Sequence, residues 1–128
     1  MDNDDFTAYY LTDNYFGGFD FSISRDIVDC DFGLDVCESD EKICLIQRGG
    51  ITFHEKAENC EAGGGSMALI YNNGYTDYTQ WSLGADNLIS IPVLALSLDD
   101  GSSIKQALPT TATMQMGNIG CEFVVGVI

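Results

Sequence analysis

Among the 128 residues of this chain, the side chains able to do covalent or metal chemistry are five cysteines, one histidine and a serine set beside glycines. Ser66 follows Gly64-Gly65 and half-matches the elbow that presents a serine nucleophile. That elbow needs a strand before the serine and a helix after it. Here the order is reversed: glycines close a helix-like stretch before Ser66, and the apolar run Ser66 to Tyr71 follows. A nucleophilic serine also needs a histidine oriented by a carboxylate, and the sole histidine, His54, falls in the first turn of an expected helix beside Glu55. Ser66 is therefore expected to be a small residue at a helix–strand junction and His54 an exposed polar residue. No residue is assigned a catalytic role. One histidine cannot build a metal site without further ligands, and the thiols are better used as bridges, so no metal ligand and no cofactor is expected. Asp2-Asn3-Asp4-Asp5 opens like a calcium loop but lacks the glycine and glutamate such a loop requires further on. A looser group, Asp29, Asp31, Asp35, Glu38 and Asp40, is left as an alternative calcium site.

Five cysteines in a domain of this size point to an oxidising compartment. The chain begins Met1-Asp2-Asn3, polar and acidic, without the apolar core of a signal peptide. The two facts agree if this is an internal piece of a longer exported chain. Cys30 and Cys37 flank a turn at Gly33 short enough to bring their α-carbons within bridging distance. Cys44 lies on an expected strand and Cys60 on the core-facing stripe of an expected helix. The predicted bridges are Cys30–Cys37 and Cys44–Cys60, leaving Cys121 over.

The elements that must position these residues are clearest between Lys42 and Asn73. Lys42 to Gln47 is a short apolar run with β-branched residues, bounded by Arg48-Gly49-Gly50, and reads as strand then turn. Thr52-Phe53-His54-Glu55 has the form of a capping box, with Phe53, Ala57 and Cys60 as the buried stripe. Gly63-Gly64-Gly65 ends the helix by offering a left-handed residue cheaply. A second strand runs to Tyr71. A crossover of this length makes the two strands parallel. Further on, Ile89 to Leu96 reads as a buried strand whose early part Pro92 places at an edge. Ser97 or Asp99 can cap a second helix carrying Ile104, Ala107 and Leu108 inward. Thr110 to Gly117 and Cys121 to Val127 read as two final strands, and the aromatic, acidic residues 1–20 as irregular strands packed on the body. The pattern is α+β with a mixed sheet, and the length favours a single domain over 1–128.

Twelve of the twenty acidic residues lie within residues 1–41, against Arg25 alone, so that segment carries most of the net charge of −15. Nucleic-acid binding is excluded, since phosphate contacts need lysine and arginine in number. No apolar run approaches the length of a membrane span. Such an acidic surface suits a soluble, exported protein.

Arg48-Gly49-Gly50 before a helix N-terminus has the makings of an anion cradle. One reading has the glycines make a turn while Arg48 pairs with a local carboxylate. The other has Arg48, Gly49, Asn72 and Asn73 bind an acidic side chain or a peptide C-terminus, because Arg48 and Asn72 each follow a strand of the same parallel pair. The order Arg48-Gly49, Thr52-Phe53, Lys56, Asn59, Ala62-Gly63-Gly64, Ile70 to Asn73, Ile91-Pro92-Val93 and Gly101 resembles the protease-associated (PA) domain. The likeness covers about 25–108, with 1–24 and 109–128 as flanking strands. It is nearest to PA domains inserted in secreted bacterial subtilisin-like serine peptidases, which share the Cys44-Leu45-Ile46-Gln47-Arg48-Gly49 run. Ile51 departs from members that carry a cysteine there. The resemblance implies a β-sandwich or open barrel flanked by two helices, and a secreted, non-catalytic module that guides or restricts access of protein substrates. Its implied partners are protein or peptide substrates and the parent's peptidase domain, which carries the catalytic residues. A cargo-binding PA domain of a receptor and a calcium-binding adhesion domain are the alternatives.

Overall fold

The computed structural model describes residues 4–14, 22–84, 88–117 and 119–126. Nine elements follow in order: β1 (Asp4–Tyr10), β2 (Ser22–Asp29), β3 (Ile43–Gln47), α1 (Phe53–Ala62), β4 (Met67–Tyr71), β5 (Val93–Leu96), α2 (Leu98–Ala107), β6 (Thr111–Met116) and β7 (Gly120–Val125). The strands close into a barrel in the order β1-β5-β4-β3-β2-β6-β7, with β7 returning to β1. β2, β3, β4 and β5 run parallel, in the register Ile43 opposite Met67 and Gln47 opposite Tyr71 for the central pair. The remaining pairings are antiparallel. Closure leaves no unpaired edge to template aggregation.

Side-chain alternation explains why β3, β4 and β5 read as unbroken apolar runs. Ile43, Leu45, Met67, Leu69, Leu94 and Leu96 join residues from every other strand in one cluster, the barrel interior. Their neighbours Cys44, Ile46, Ala68, Ile70, Val93 and Ala95 face outward into a second cluster beneath α1, Trp81 and Leu83. A strand covered on both faces has no polar phase. β6, covered on one face, alternates buried Ala112, Met114 and Met116 with exposed Thr113 and Gln115.

Both caps of α1 and α2 are set by local sequence. The Thr52 hydroxyl accepts from the Glu55 amide at 3.1 Å, and a Glu55 carboxylate oxygen accepts from the Thr52 amide at 3.1 Å. Ser97, not Asp99, caps α2. Gly101 lets α2 approach the barrel end, since a methyl group there would sit 2.1 Å from the Tyr71 ring. Ile104 then drops into the interior cluster.

The glycine triplet supplies the expected left-handed residue at Gly64, φ +90°, while Gly63 itself ends α1 at φ −85°. What Gly63 supplies is room, because a side chain there would overlap the Cys37 carbonyl at 1.7 Å. Pro92 precedes β5 instead of marking an edge, since the barrel has none and β5 lies between β1 and β4. In the N-terminal segment β1 is a regular strand paired over six residues with β7. Residues 15–21 and 118 lie outside the described residues.

Candidate PA-domain recognition edge

Because β2 to β5 are parallel, the loops that follow them emerge on the same edge of the sheet, where open parallel sheets bind their ligands. Arg48 and Asn72, 24 residues apart in sequence, meet there. An Arg48 guanidinium nitrogen donates to Asn72 Oδ1 at 3.3 Å, the Arg48 amide donates to the Tyr71 carbonyl at 2.9 Å, and Asn73 Nδ2 donates to the Arg48 carbonyl at 3.3 Å. The guanidinium also lies 5.2 Å from the Trp81 ring centre and 5.9 Å from that of Phe53, and these two rings stack at 4.4 Å. Such contacts favour a fixed cation. Among the described residues Arg48 forms no ion pair, so the expected local carboxylate partner is replaced by Asn72 and two rings. A cleft of about 540 Å³ opens beside it, walled by Ile51, Phe53, His54 and Leu83.

Asn72 is spent within the protein. It is buried, its Oδ1 accepts from Arg48 and from the Asn73 amide, and its Nδ2 donates to the Thr76 carbonyl at 2.9 Å. It holds Arg48 in place and offers nothing to a ligand. Asn73 is exposed, and Gly49 is held in a left-handed conformation at φ +125°.

The residue that sequence reasoning missed is Lys56. Its side chain is fully buried, and Nζ donates to the Phe32 carbonyl and, at 2.6 Å, to the Gly49 carbonyl. It thereby ties the Cys30–Cys37 loop to the Arg48-Gly49 loop. Burial pushes its pKa below the usual lysine range, and among the described residues no carboxylate pairs with it. The available signal was its neighbour Ala57 on the helical stripe; a lysine one position off that stripe reads as exposed. Asn59 acts likewise, donating to the Gly33 carbonyl at 2.8 Å.

The N-terminus of α1 is not an open anion cradle. Glu55 already occupies it, and hydrogen bonds from the Thr52 amide and hydroxyl hold that carboxyl below its usual pKa. His54 is half-buried, where an exposed side chain was expected, and its Nε2 is enclosed without a partner among the described residues. Ser66 donates to the Lys42 carbonyl at 3.2 Å. His54 and Ser66 sit at opposite ends of α1, whose ten residues span about 15 Å, so they form no nucleophile–base pair. Of the acidic group, Asp29 accepts from the Asp31 amide, and both carboxylates approach Lys105, at 3.8 and 4.0 Å. Lys105 thus stands beside two of the five carboxylates named for the alternative calcium site.

Cys30 is bonded to Cys37 and Cys44 to Cys60, with α-carbons 5.7 and 6.1 Å apart. Cys121 is a buried free thiol 3.0 Å from the Met116 sulfur.

A seven-stranded mixed barrel with two helices and this Arg-Gly edge has the architecture of a protease-associated domain. The PA domain family matches residues 7–104, and the chain belongs to it. It is 35% identical to the aminopeptidase YwaD of Bacillus subtilis over 74 residues, 58% of this chain and 16% of that protein. It is 32% identical to the minor extracellular protease Vpr of the same organism over 72 residues, 56% of this chain and 8% of Vpr. The chain therefore corresponds to a small part of these relatives' length. In fold it resembles BSAP, a zinc aminopeptidase from Bacillus subtilis, at a TM-score of 0.60 and 20% identity over 98% of this chain and 30% of that one. It also resembles the psychrophilic subtilisin-like protease Apa1 from Pseudoalteromonas, at a TM-score of 0.51 and 19% identity over 84% of this chain and 24% of that one. The likeness in fold thus extends to part of an aminopeptidase and part of a subtilisin-like protease. Among the described residues no helix is long and apolar enough to cross a membrane.

Proposed function

We propose that this chain is a non-catalytic interaction module of an exported, secreted peptidase, and that its Arg48 edge engages the protein substrate. The observation that carries this reading is Arg48 itself: a cation fixed by Asn72 and two stacked rings, without a carboxylate among the described residues, beside an open cleft on an otherwise acidic domain. A guanidinium held this way suits a carboxylate, through charge-assisted bonds. The ligand is an acidic side chain or a C-terminal carboxylate, with Gly49 and Asn73 as its backbone contacts. The separation of Ser66 from the sole histidine, His54, at the other end of α1 supports the non-catalytic half of the reading. The subtilisin-like parent rests on the resemblance carried by the Cys44 to Gly49 run and on the fold shared with the subtilisin-like protease Apa1, while the likeness to Vpr supports an extracellular protease. An aminopeptidase parent is the second reading, favoured by the 35% identity to YwaD. Catalytic motifs in the flanking sequence of the parent separate the two.

Titrating a protein substrate or the propeptide of the parent against wild type and Arg48→Ala tests the site. Loss of a charge-assisted pair predicts about ten- to a hundredfold weaker binding. Equal affinity in a folded variant assigns Arg48 to structure alone. The chain by itself should leave casein intact, and turnover abolished by Ser66→Ala or His54→Ala would overturn the non-catalytic reading.

A further inference from the structure

The disulfide-closed loop between Cys30 and Cys37 presents large apolar side chains to solvent: Phe32 is 41% exposed, Leu34 55% and Val36 57%. Isolated exposed apolar residues need no explanation, but these three share one short loop around a depression of about 350 Å³. The loop is held at both ends, its backbone pinned over Asp31 to Gly33 and again at Cys37, which limits how far the side chains between can turn inward. The disulfide closes it, Lys56 holds the Phe32 carbonyl, Asn59 holds the Gly33 carbonyl, the Gln47 amide takes the Asp31 carbonyl at 2.7 Å, and the Cys37 amide reaches the Asn59 carbonyl at 3.2 Å. A loop fixed in this way loses little entropy when a partner covers it.

Its surroundings define the partner. Asp35, Glu38, Asp40 and Glu41 are exposed, and no ion pair engages them among the described residues. Two copies of this chain would bring like charges together, on a molecule already at −15. A partner that is apolar alone would leave these carboxylates uncompensated at the rim. We propose that the Cys30–Cys37 loop docks a cationic, apolar segment of a protein, its aliphatic side chains covering Phe32, Leu34 and Val36 and its lysines or arginines meeting Asp35 and Glu38. This surface adjoins the Arg48-Gly49 loop, where Phe32 lies against Gly49 and Leu34 against Gly50, but it has its own lining and takes the opposite charge.

The test uses the whole chain and a short synthetic peptide alternating lysine and leucine, with lysine–serine and glutamate–leucine peptides as controls. Binding is followed by calorimetry or fluorescence anisotropy at several salt concentrations. Leu34→Ser/Val36→Ser keeps the net charge, the bridge and every pinning bond, and should weaken lysine–leucine binding by roughly tenfold or more. Asp35→Asn/Glu38→Gln should flatten its salt dependence, and Arg48→Ala should leave it unchanged, so this surface and the Arg48 cleft fail independently. Equal binding of the lysine–serine peptide, or an undiminished affinity in Leu34→Ser/Val36→Ser, would reduce the attraction to diffuse charge and overturn the proposal. So would the absence of any binding, or a loss seen only in Arg48→Ala. A thermal melt of each variant establishes that it is folded.

Discussion

Lys56 shows how a charged side chain can serve as a structural strut. Its stem crosses apolar surroundings and its ammonium is satisfied by two carbonyls from loops that are distant in sequence. Removing the charge relieves its desolvation, but it leaves two buried acceptors without a donor, which costs about 1–3 kcal/mol. Lys56→Met is expected to destabilise the fold by about 2 kcal/mol in urea titration and to raise amide exchange in the 30–37 and 48–50 loops together. Change in one loop alone would contradict the shared tether. Cys121 is the opposite case, a group silenced by burial. Its thiol is pushed up from 9.0 to about 11. The folded protein therefore keeps a proton that the unfolded chain releases above pH 9.0. That contribution to stability is complete below pH 9.0 and is lost as the pH rises through about 11. Tyr71 and Tyr78, also raised by burial, act in the same direction; Lys56, lowered by burial, opposes them. Cys121→Ser should flatten the fall in melting temperature over this range. In the native wild type a thiol reagent should label nothing until denaturant is added.

The strand–helix–strand unit β3-α1-β4 organises everything around it. Its start is fixed by Thr52 and Glu55 and its end by space: Gly63 admits the Cys37 backbone, and a side chain at Gly65 would strike both sulfurs of the Cys44–Cys60 bridge. Helix, bridge and acidic loop are therefore packed as one body. Thr52→Ala removes both the acceptor for Glu55 and the reciprocal geometry, and should cost about 1 kcal/mol, read as a lower denaturant midpoint with an unchanged slope. A cost near zero would mean that tertiary packing alone sets where α1 begins. The same unit places Arg48 and Asn72 side by side, since parallel strands in register end together.

For the molecule as a whole, barrel closure and charge pull in opposite directions. Closure of β7 onto β1 pairs every strand, while −15 net charge on 128 residues disfavours the compact state through self-repulsion. Screening that repulsion should stabilise the fold, so the melting temperature is expected to rise as salt is increased from low levels to about 0.5 M, where the Debye length is only a few ångströms. A flat response would show that the acidic groups are already dispersed enough to ignore one another. The two cations of the Arg48 edge differ here: Lys56 is buried and insulated from salt, whereas Arg48 borders the open cleft.

What the sequence by itself determined was local or periodic. The Thr52 capping box, the apolar runs of β3 and β4, the parallel crossover and the two bridges all follow from spacing within about thirty residues, where few conformations compete. The family pattern was equally legible, being an ordered set of short motifs. Tertiary structure alone decided the rest. Whether the barrel closes depends on β1 meeting β7, more than a hundred residues away, and no local preference encodes that pairing. Lys56 reads as a surface residue until the Phe32 and Gly49 carbonyls arrive above it. Asn72 reads as a ligand contact until Arg48 and Thr76 take up its amide. Arg48 finds an amide and two rings where sequence suggested a carboxylate, because Trp81 reaches it from a distant loop. In each case a deciding partner comes from a different loop or strand, and it is brought into place only by tertiary packing.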